Sequence, residues 1–121
     1  MDTSQLEYSI VGAICIEPKI CDKISGILSP DDFSISACSE VFEAACDALG
    51  RGKHFDAVLA ADAIRNRVDD AVRFIGDCMN VTPTLANTED HARMLHQRAS
   101  EARFKLAIQE ALESEDAAAA V

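Results

Sequence analysis

The chain has 121 residues, 49% of them apolar, enough for one packed core and too few for two comfortable domains. Aromatics make up only 5%, Trp is absent and β-forming runs of Val, Ile, Thr and Tyr are missing, so the core is expected to be built from closely spaced helices. Eleven Lys and Arg against 21 Asp and Glu give a net charge of −10, which argues against a basic, phosphate-gripping face and so against direct nucleic-acid binding by this chain.

The first predicted helix runs from about Ser4 to Ile16. Leu6, Ile10 and Ile14 recur every four residues, and Val11 and Cys15 widen the stripe. Gly12 sits inside it at a cost of about 1 kcal/mol relative to Ala, so another helix is expected to pass close by. Glu17-Pro18 ends the segment, because a residue before proline avoids the helical region. A second short helix is expected over roughly Lys19 to Leu28, with Ile20, Ile24 and Ile27 inward. LSPDDF (28–33) then reads as a one-turn element: Ser29 as cap, Pro30 at the first helical position, Asp31 and Asp32 at the positive end of the dipole.

The third helix spans about Ser36 to Leu49, with Val41, Phe42, Ala45, Cys46 and Leu49 inward, and GRG (50–52) closes it. Asp56 caps a fourth helix through Ile64, with Val58, Leu59 and Ala63 expected to be buried. The fifth carries the clearest period, Val68, Ala71, Val72, Ile75, Cys78 and Met79, and TPT (82–84) breaks it. Asn87 caps the sixth, with Asp90 as a weak capping-box partner.

That sixth helix could run from Thr88 to about Ser114, longer than such a small globule needs. Leu95, Ala99, Ala102 and Leu106 share one face, expected to lie on the chain's own globule. Phe104, Ile108, Ala111 and Leu112 share a roughly opposite face with no evident cover. The organisation expected is a helical globule over 1–87, a long helix over 88–114 acting as a hairpin or dimerisation element, and a frayed tail over 115–121. The fold class is all-α: a compact orthogonal bundle of about six helices, its long last helix the first half of a helical hairpin. On this reading the chain stops before the element that covers Phe104, Ile108 and Leu112.

No catalytic constellation is evident. GRGK (50–53) lacks the phosphate-loop spacing, because Asp47 stands where the upstream glycine belongs and His54 follows the lysine. His91 and His96 are five residues apart, which does not make a two-histidine metal site. His91 reads as half-buried and structural, His96 as solvent-facing. The pairs Asp31/Asp32 and Asp69/Asp70 read as helix starts and solvated faces. Five Cys with no C-x-x-C pair signal neither a disulfide framework nor zinc; they read as small core residues of a reducing cytosol. IVGAICI (10–16) is too short to cross a membrane and no export signal precedes it, so a cytoplasmic protein with no membrane partner is expected. No cofactor or metal is expected to bind this chain.

Several stretches in order resemble the N-terminal domain of bacterial replicative DNA helicases of the DnaB type. LEYSIVGAI (6–14) is similar to that family's opening helix, and LSPDDF to its Leu-x-x-x-Asp-Phe turn. EVFEAACDALGRGKHFDAVLAADAI (40–64) is similar to its helix, glycine turn and next helix start. NVTPTLANTEDHARML (80–95) is similar to its Pro-Ser-x-Ala-Asn stretch, and ARFKLAI (102–108) to the continuation of the long helix. The departures are His91 where the family has tyrosine, Val-Leu-Ala at 58–60 for Val-Thr-Leu, no Gly-Gly in 66–74, and only half of the hairpin.

The resemblance implies a collar and scaffold domain, not itself an enzyme, that takes part in DNA replication within the primosome. It implies pairing through hairpins, as a dimer for this fragment and a hexamer for the parent, and docking of a DnaG-type primase and a helicase loader. ATP, Mg²⁺ and unwinding would belong to a C-terminal domain of the parent protein. The alternative is a stand-alone collar homologue acting as a regulator or loader, from a phage or mobile element.

Overall fold

The computed structural model describes residues 2–82 and 84–119, the side chains of 116–119 excepted. Among the described residues the fold is all-helical: α1 (Ser4–Ile16), α2 (Cys21–Ile24), α3 (Ser36–Gly50), α4 (Ala57–Ala63), α5 (Ala71–Asn80) and α6 (Thr88–Ala119), with single 3₁₀ turns at Pro18–Ile20 and Pro30–Asp32. No strand occurs among them.

α1 is the central element, packed against α5, α6 and α3, because its apolar positions go most of the way round: Ile10, Val11, Ala13 and Ile14 are all fully buried. Gly12 is the point of closest approach. A Cβ there would fall far inside contact distance of the Cys78 carbonyl oxygen and Thr82 Oγ1, and 2.7 Å from the Cys78 carbonyl carbon. The Thr82 hydroxyl staples the crossing, lying 3.0 Å from the Ser9 carbonyl oxygen and 2.9 Å from that of Cys78. Tyr8 and Phe74 extend the α1–α5 contact edge to face, with ring centroids 5.9 Å apart.

Buried Glu7 ties α1 to the start of α3. It accepts from Thr3 Oγ1 at 2.7 Å, Ser34 Oγ at 2.6 Å and the Ile35 N–H at 2.9 Å. α3 begins at Ser36 and ends in a Schellman arrangement: Lys53 N–H reaches the Ala48 carbonyl, Gly52 N–H that of Leu49, and Gly52 takes φ of +69°. GRGK is therefore a helix stop. Asp56 caps α4, accepting from the Leu59 N–H at 2.9 Å.

Five expectations need correction. The second helix is one turn of α after a 3₁₀ turn, not a continuous run to Leu28, although Ile24 is fully buried. In α4 the inward residues are Ala60, Ala61 and Ile64, while Val58, Leu59 and Ala63 face out. A seven-residue helix makes only two turns, and here the small side chains lie against α3 and α5. α5 starts at Ala71, capped by Asp70 through the Arg73 N–H at 3.1 Å, and Val72 on its first turn is exposed. Ala102 and Leu106 are also exposed, because α6 runs past the end of the globule; on that face only Leu95 is fully covered. Finally, Asp32 is buried rather than solvated; His96 is exposed, as expected, and hydrogen-bonds to it from the surface.

α6 keeps its helical backbone to Ala119; residues 120 and 121 of the expected tail, and Pro83 of the TPT breaker, lie outside the described residues.

Candidate functional site

From Glu101 to Glu115 every residue of α6 is exposed. Phe104, Leu106, Ile108 and Leu112 are 67%, 54%, 45% and 55% accessible, and Ala111 lies among them. At ~100° per residue, Phe104, Ile108, Ala111 and Leu112 form one ridge, and Leu106 stands on the far side of the rod. The bare segment is thus apolar on two flanks, whereas the sequence pointed to only one. The signal for the second flank was present in Ala102 and Leu106, which continue the Leu95 face beyond the length of the globule.

Charge is graded along this segment after Glu101. Arg103 and Lys105 come next; Glu110, Glu113 and Glu115 follow. Two such helices laid antiparallel about Ile108 would set the basic end of each against the acidic end of the other, whereas a parallel pair would stack like charges.

The base of this arm is fixed by LSPDDF. The side chain of Asp32 has no solvent exposure and is surrounded by donors: His96 Nδ1 at 2.9 Å, Arg103 Nη2 at 2.8 Å and the Ser29 N–H at 3.1 Å. Arg103 also donates to the Asp31 carbonyl oxygen at 3.3 Å. Burial alone would raise the Asp32 carboxyl. The hydrogen bonds from His96, Arg103 and Ser29 outweigh it and hold the group below the usual carboxylate range. Phe33, next in the motif, packs on Phe42 of α3 with centroids 5.3 Å apart. The turn therefore joins α3 to α6, apolar on one side and ionic on the other. Beside it lies an open cleft of about 890 Å³, with Asp2, Phe33 and Ser34 on one wall and Met94, Arg98 and Lys105 on the other.

The remaining residues singled out in the sequence do not converge. His91 is half-buried, with its Nδ1 3.4 Å from Ser9 Oγ; His54 is exposed and pairs with Asp56 at 3.0 Å. Among the described residues no group of three or more His, Cys, Asp or Glu could hold a metal ion, and no helix is long and apolar enough to cross a membrane.

Fold and surface together define a small all-helical domain that projects one long helix from its globule. The chain belongs to the family described as the DnaB-like helicase N-terminal domain, whose sequence pattern it matches over residues 2–97. It is 28% identical over 98 residues to the replicative DNA helicase DnaB of Geobacillus stearothermophilus and 29% over 99 residues to that of Pasteurella multocida. Each alignment takes in 78% of this chain. The chain spans only about a fifth of the length of these curated relatives, 22% and 21%. The crystal structure of the N-terminal domain of DnaB helicase from Mycobacterium tuberculosis has the same fold, with a TM-score of 0.80 at 24% identity over 90% of this chain and 82% of that one. The family match stops at residue 97, so the bare half of α6 lies beyond it.

Proposed function

We propose that this chain is the collar and scaffold domain of a replicative DNA helicase, and that it works by assembly: the bare half of α6 pairs with the same segment of a second copy, antiparallel. The observation that carries this reading is the ridge Phe104, Ile108, Ala111 and Leu112, left uncovered on a stretch of helix whose charges run from basic at Arg103 and Lys105 to acidic from Glu110 on. Burying three such large side chains per partner returns ~5 kcal/mol before the costs of association, which suits a weak dimer of the isolated domain. In the parent protein the same pairing would be repeated within a hexameric ring. The collar would receive a DnaG-type primase and a loader, while ATP hydrolysis with Mg²⁺ and unwinding would reside in a C-terminal domain. The setting would be the cytoplasm.

Sedimentation equilibrium over a rising concentration series tests the pairing, comparing wild type with the double variant Phe104→Asp/Ile108→Asp. The expected result is a wild-type mass that climbs toward a dimer and a variant that stays monomeric. A wild type that remains monomeric throughout removes the ridge as an assembly surface.

A further inference from the structure

The cleft beside the Asp32 turn and the bare ridge of α6 are parts of one surface. At ~100° per residue, Gln97 and Glu101 fall on the same side of α6 as Phe104, Ile108 and Leu112, and both also line the cleft. The ridge therefore continues past Phe104 to the mouth of the cleft, whose far wall is built by Thr3, Phe33 and Ser34 of the globule. In an antiparallel pair that crosses at Ile108, positions equally far before and after Ile108 lie side by side. Phe104 then meets the partner's Leu112, Glu101 meets the partner's Glu115, and Gln97 meets the partner's Ala119. The last two turns of the partner's α6 thus pass along the cleft.

We infer that this cleft is the receiving site for the end of α6 from a second copy of the chain. The inference rests on the antiparallel pairing proposed above and adds to it a contact between helix end and globule. Size supports it. A slim helix about 10 Å across, with a pitch of about 5.4 Å, fills ~420 Å³ per turn, so a cleft of about 890 Å³ has room for about two turns. The end of α6 is slim, because after Leu112 the sequence holds only Glu, Ser, Asp and Ala as far as Ala119.

Charge supports the same occupant. The partner's Glu115 arrives between Arg98 and Lys105, displaced from it by ~4.5 Å and ~6 Å along the axis, within reach of these long side chains. Both cations line the cleft. The carboxylate directly opposite is Glu101, and it is engaged within its own helix: Gln97 Nε2 donates to Glu101 Oε1 at 3.2 Å. Asp2, on the globule wall, accepts the Ser4 N–H at 2.9 Å, and Arg103 stays with Asp32 at 2.8 Å. The incoming carboxylate therefore meets two cations and one anion already hydrogen-bonded. Docking in the cleft fixes the register of the pair, because only a crossing at Ile108 delivers Glu115 to that place.

A concentration series of two-dimensional ¹⁵N–¹H spectra on the whole chain, at low ionic strength, reads the two contacts separately. The amides of Phe104 and Ile108 report the ridge; those of Thr3, Phe33 and Ser34 report the cleft. Both groups are expected to shift with one midpoint. Lys105→Glu should raise that midpoint about tenfold, because the charge pair occurs twice by symmetry, and adding Glu115→Lys should return it to within about threefold of wild type. Shifts confined to the ridge amides overturn the inference and leave the pairing standing, as does a Lys105→Glu midpoint equal to that of wild type. No shift in either group at any concentration removes the pairing and the inference together.

Discussion

Two glycines sit inside helices of this fold, and substituting each by alanine should move stability in opposite directions. In a helix the exchange by itself favours alanine by about 1 kcal/mol. At Gly76 in α5 a Cβ meets nothing within 4 Å, so Gly76→Ala should gain most of that amount. At Gly12 the new methyl would be 2.7 Å from the Cys78 carbonyl carbon and closer still to its oxygen, both part of a backbone that cannot swing aside. Ordinary carbon contacts lie near ~3.5–4.0 Å, so α5 must retreat by about 1 Å. That retreat breaks the Thr82 bridge between Ser9 and Cys78, worth about 1 kcal/mol, and adds an overpacking cost of about 1–3 kcal/mol. After the propensity gain is subtracted, Gly12→Ala should lose about 1–3 kcal/mol, a fall in Tm of roughly 4–12 °C for a domain of this size. Urea and thermal denaturation of both variants by circular dichroism measure the difference. If Gly12→Ala matches or exceeds wild type, the two helices are not held apart by backbone contact, and the account of the core is wrong.

Substitutions at three other residues probe the polar joints. Glu7→Ala strips the Thr3 and Ser34 hydroxyls and the Ile35 N–H of their shared acceptor and should cost about 2–4 kcal/mol in urea unfolding. Glu7→Gln, which can turn its oxygen to Ile35 and its amide to the two hydroxyls, should cost less than half of that. Arg103→Ala should cost about 1 kcal/mol, because Arg103 is half-exposed and His96 and Ser29 still serve Asp32; a loss above 3 kcal/mol would mean that Arg103 alone carries the anchor. The folded state binds the Asp32 proton less tightly than the unfolded chain, whose aspartate pKa is about 3.9, so this contribution is present above about pH 4 and lost as pH falls through the lowered folded value. Acid titration of unfolding should accordingly be shallower for Asp32→Asn than for wild type, and parallel curves would contradict the assignment.

Periodic apolar spacing and local caps were readable one residue at a time. Ser4–Ile16 and the start of α3 at Ser36 coincide with the structure, and the close approach at Gly12 followed from a glycine placed where a helix can least use one. The inward face of α4 was not readable. Size favours Val58 and Leu59, but the narrow space left by α3 and α5 admits alanines, a fact of packing that spacing does not encode. The acidic pair Asp69/Asp70 fits a helix start or a solvated face equally well in sequence, and only the bond from the Arg73 N–H marks Asp70 as the cap of α5. The pairing of Asp32 with His96 is hidden for a related reason. Their partnership spans 64 positions, and each looks like an ordinary surface residue until the long helix is laid across the turn. Of the candidate ridge, the residues were legible as a stripe, but the second exposed flank at Leu106 depends on where the globule ends, which is a property of the whole fold.

The Asp32–Arg103 contact lies about midway along α6, so the helix behaves as a lever with its fulcrum at a buried carboxylate. From Arg103 to Ala119 is about 24 Å at 1.5 Å per residue, and a tilt of about 10° at the fulcrum swings the tip by about 4 Å. That is close to half the usual distance between packed helix axes. Any ligand or substitution that loosens this one carboxylate would therefore be felt most strongly at the distant tip, where it would misalign whatever the arm grips.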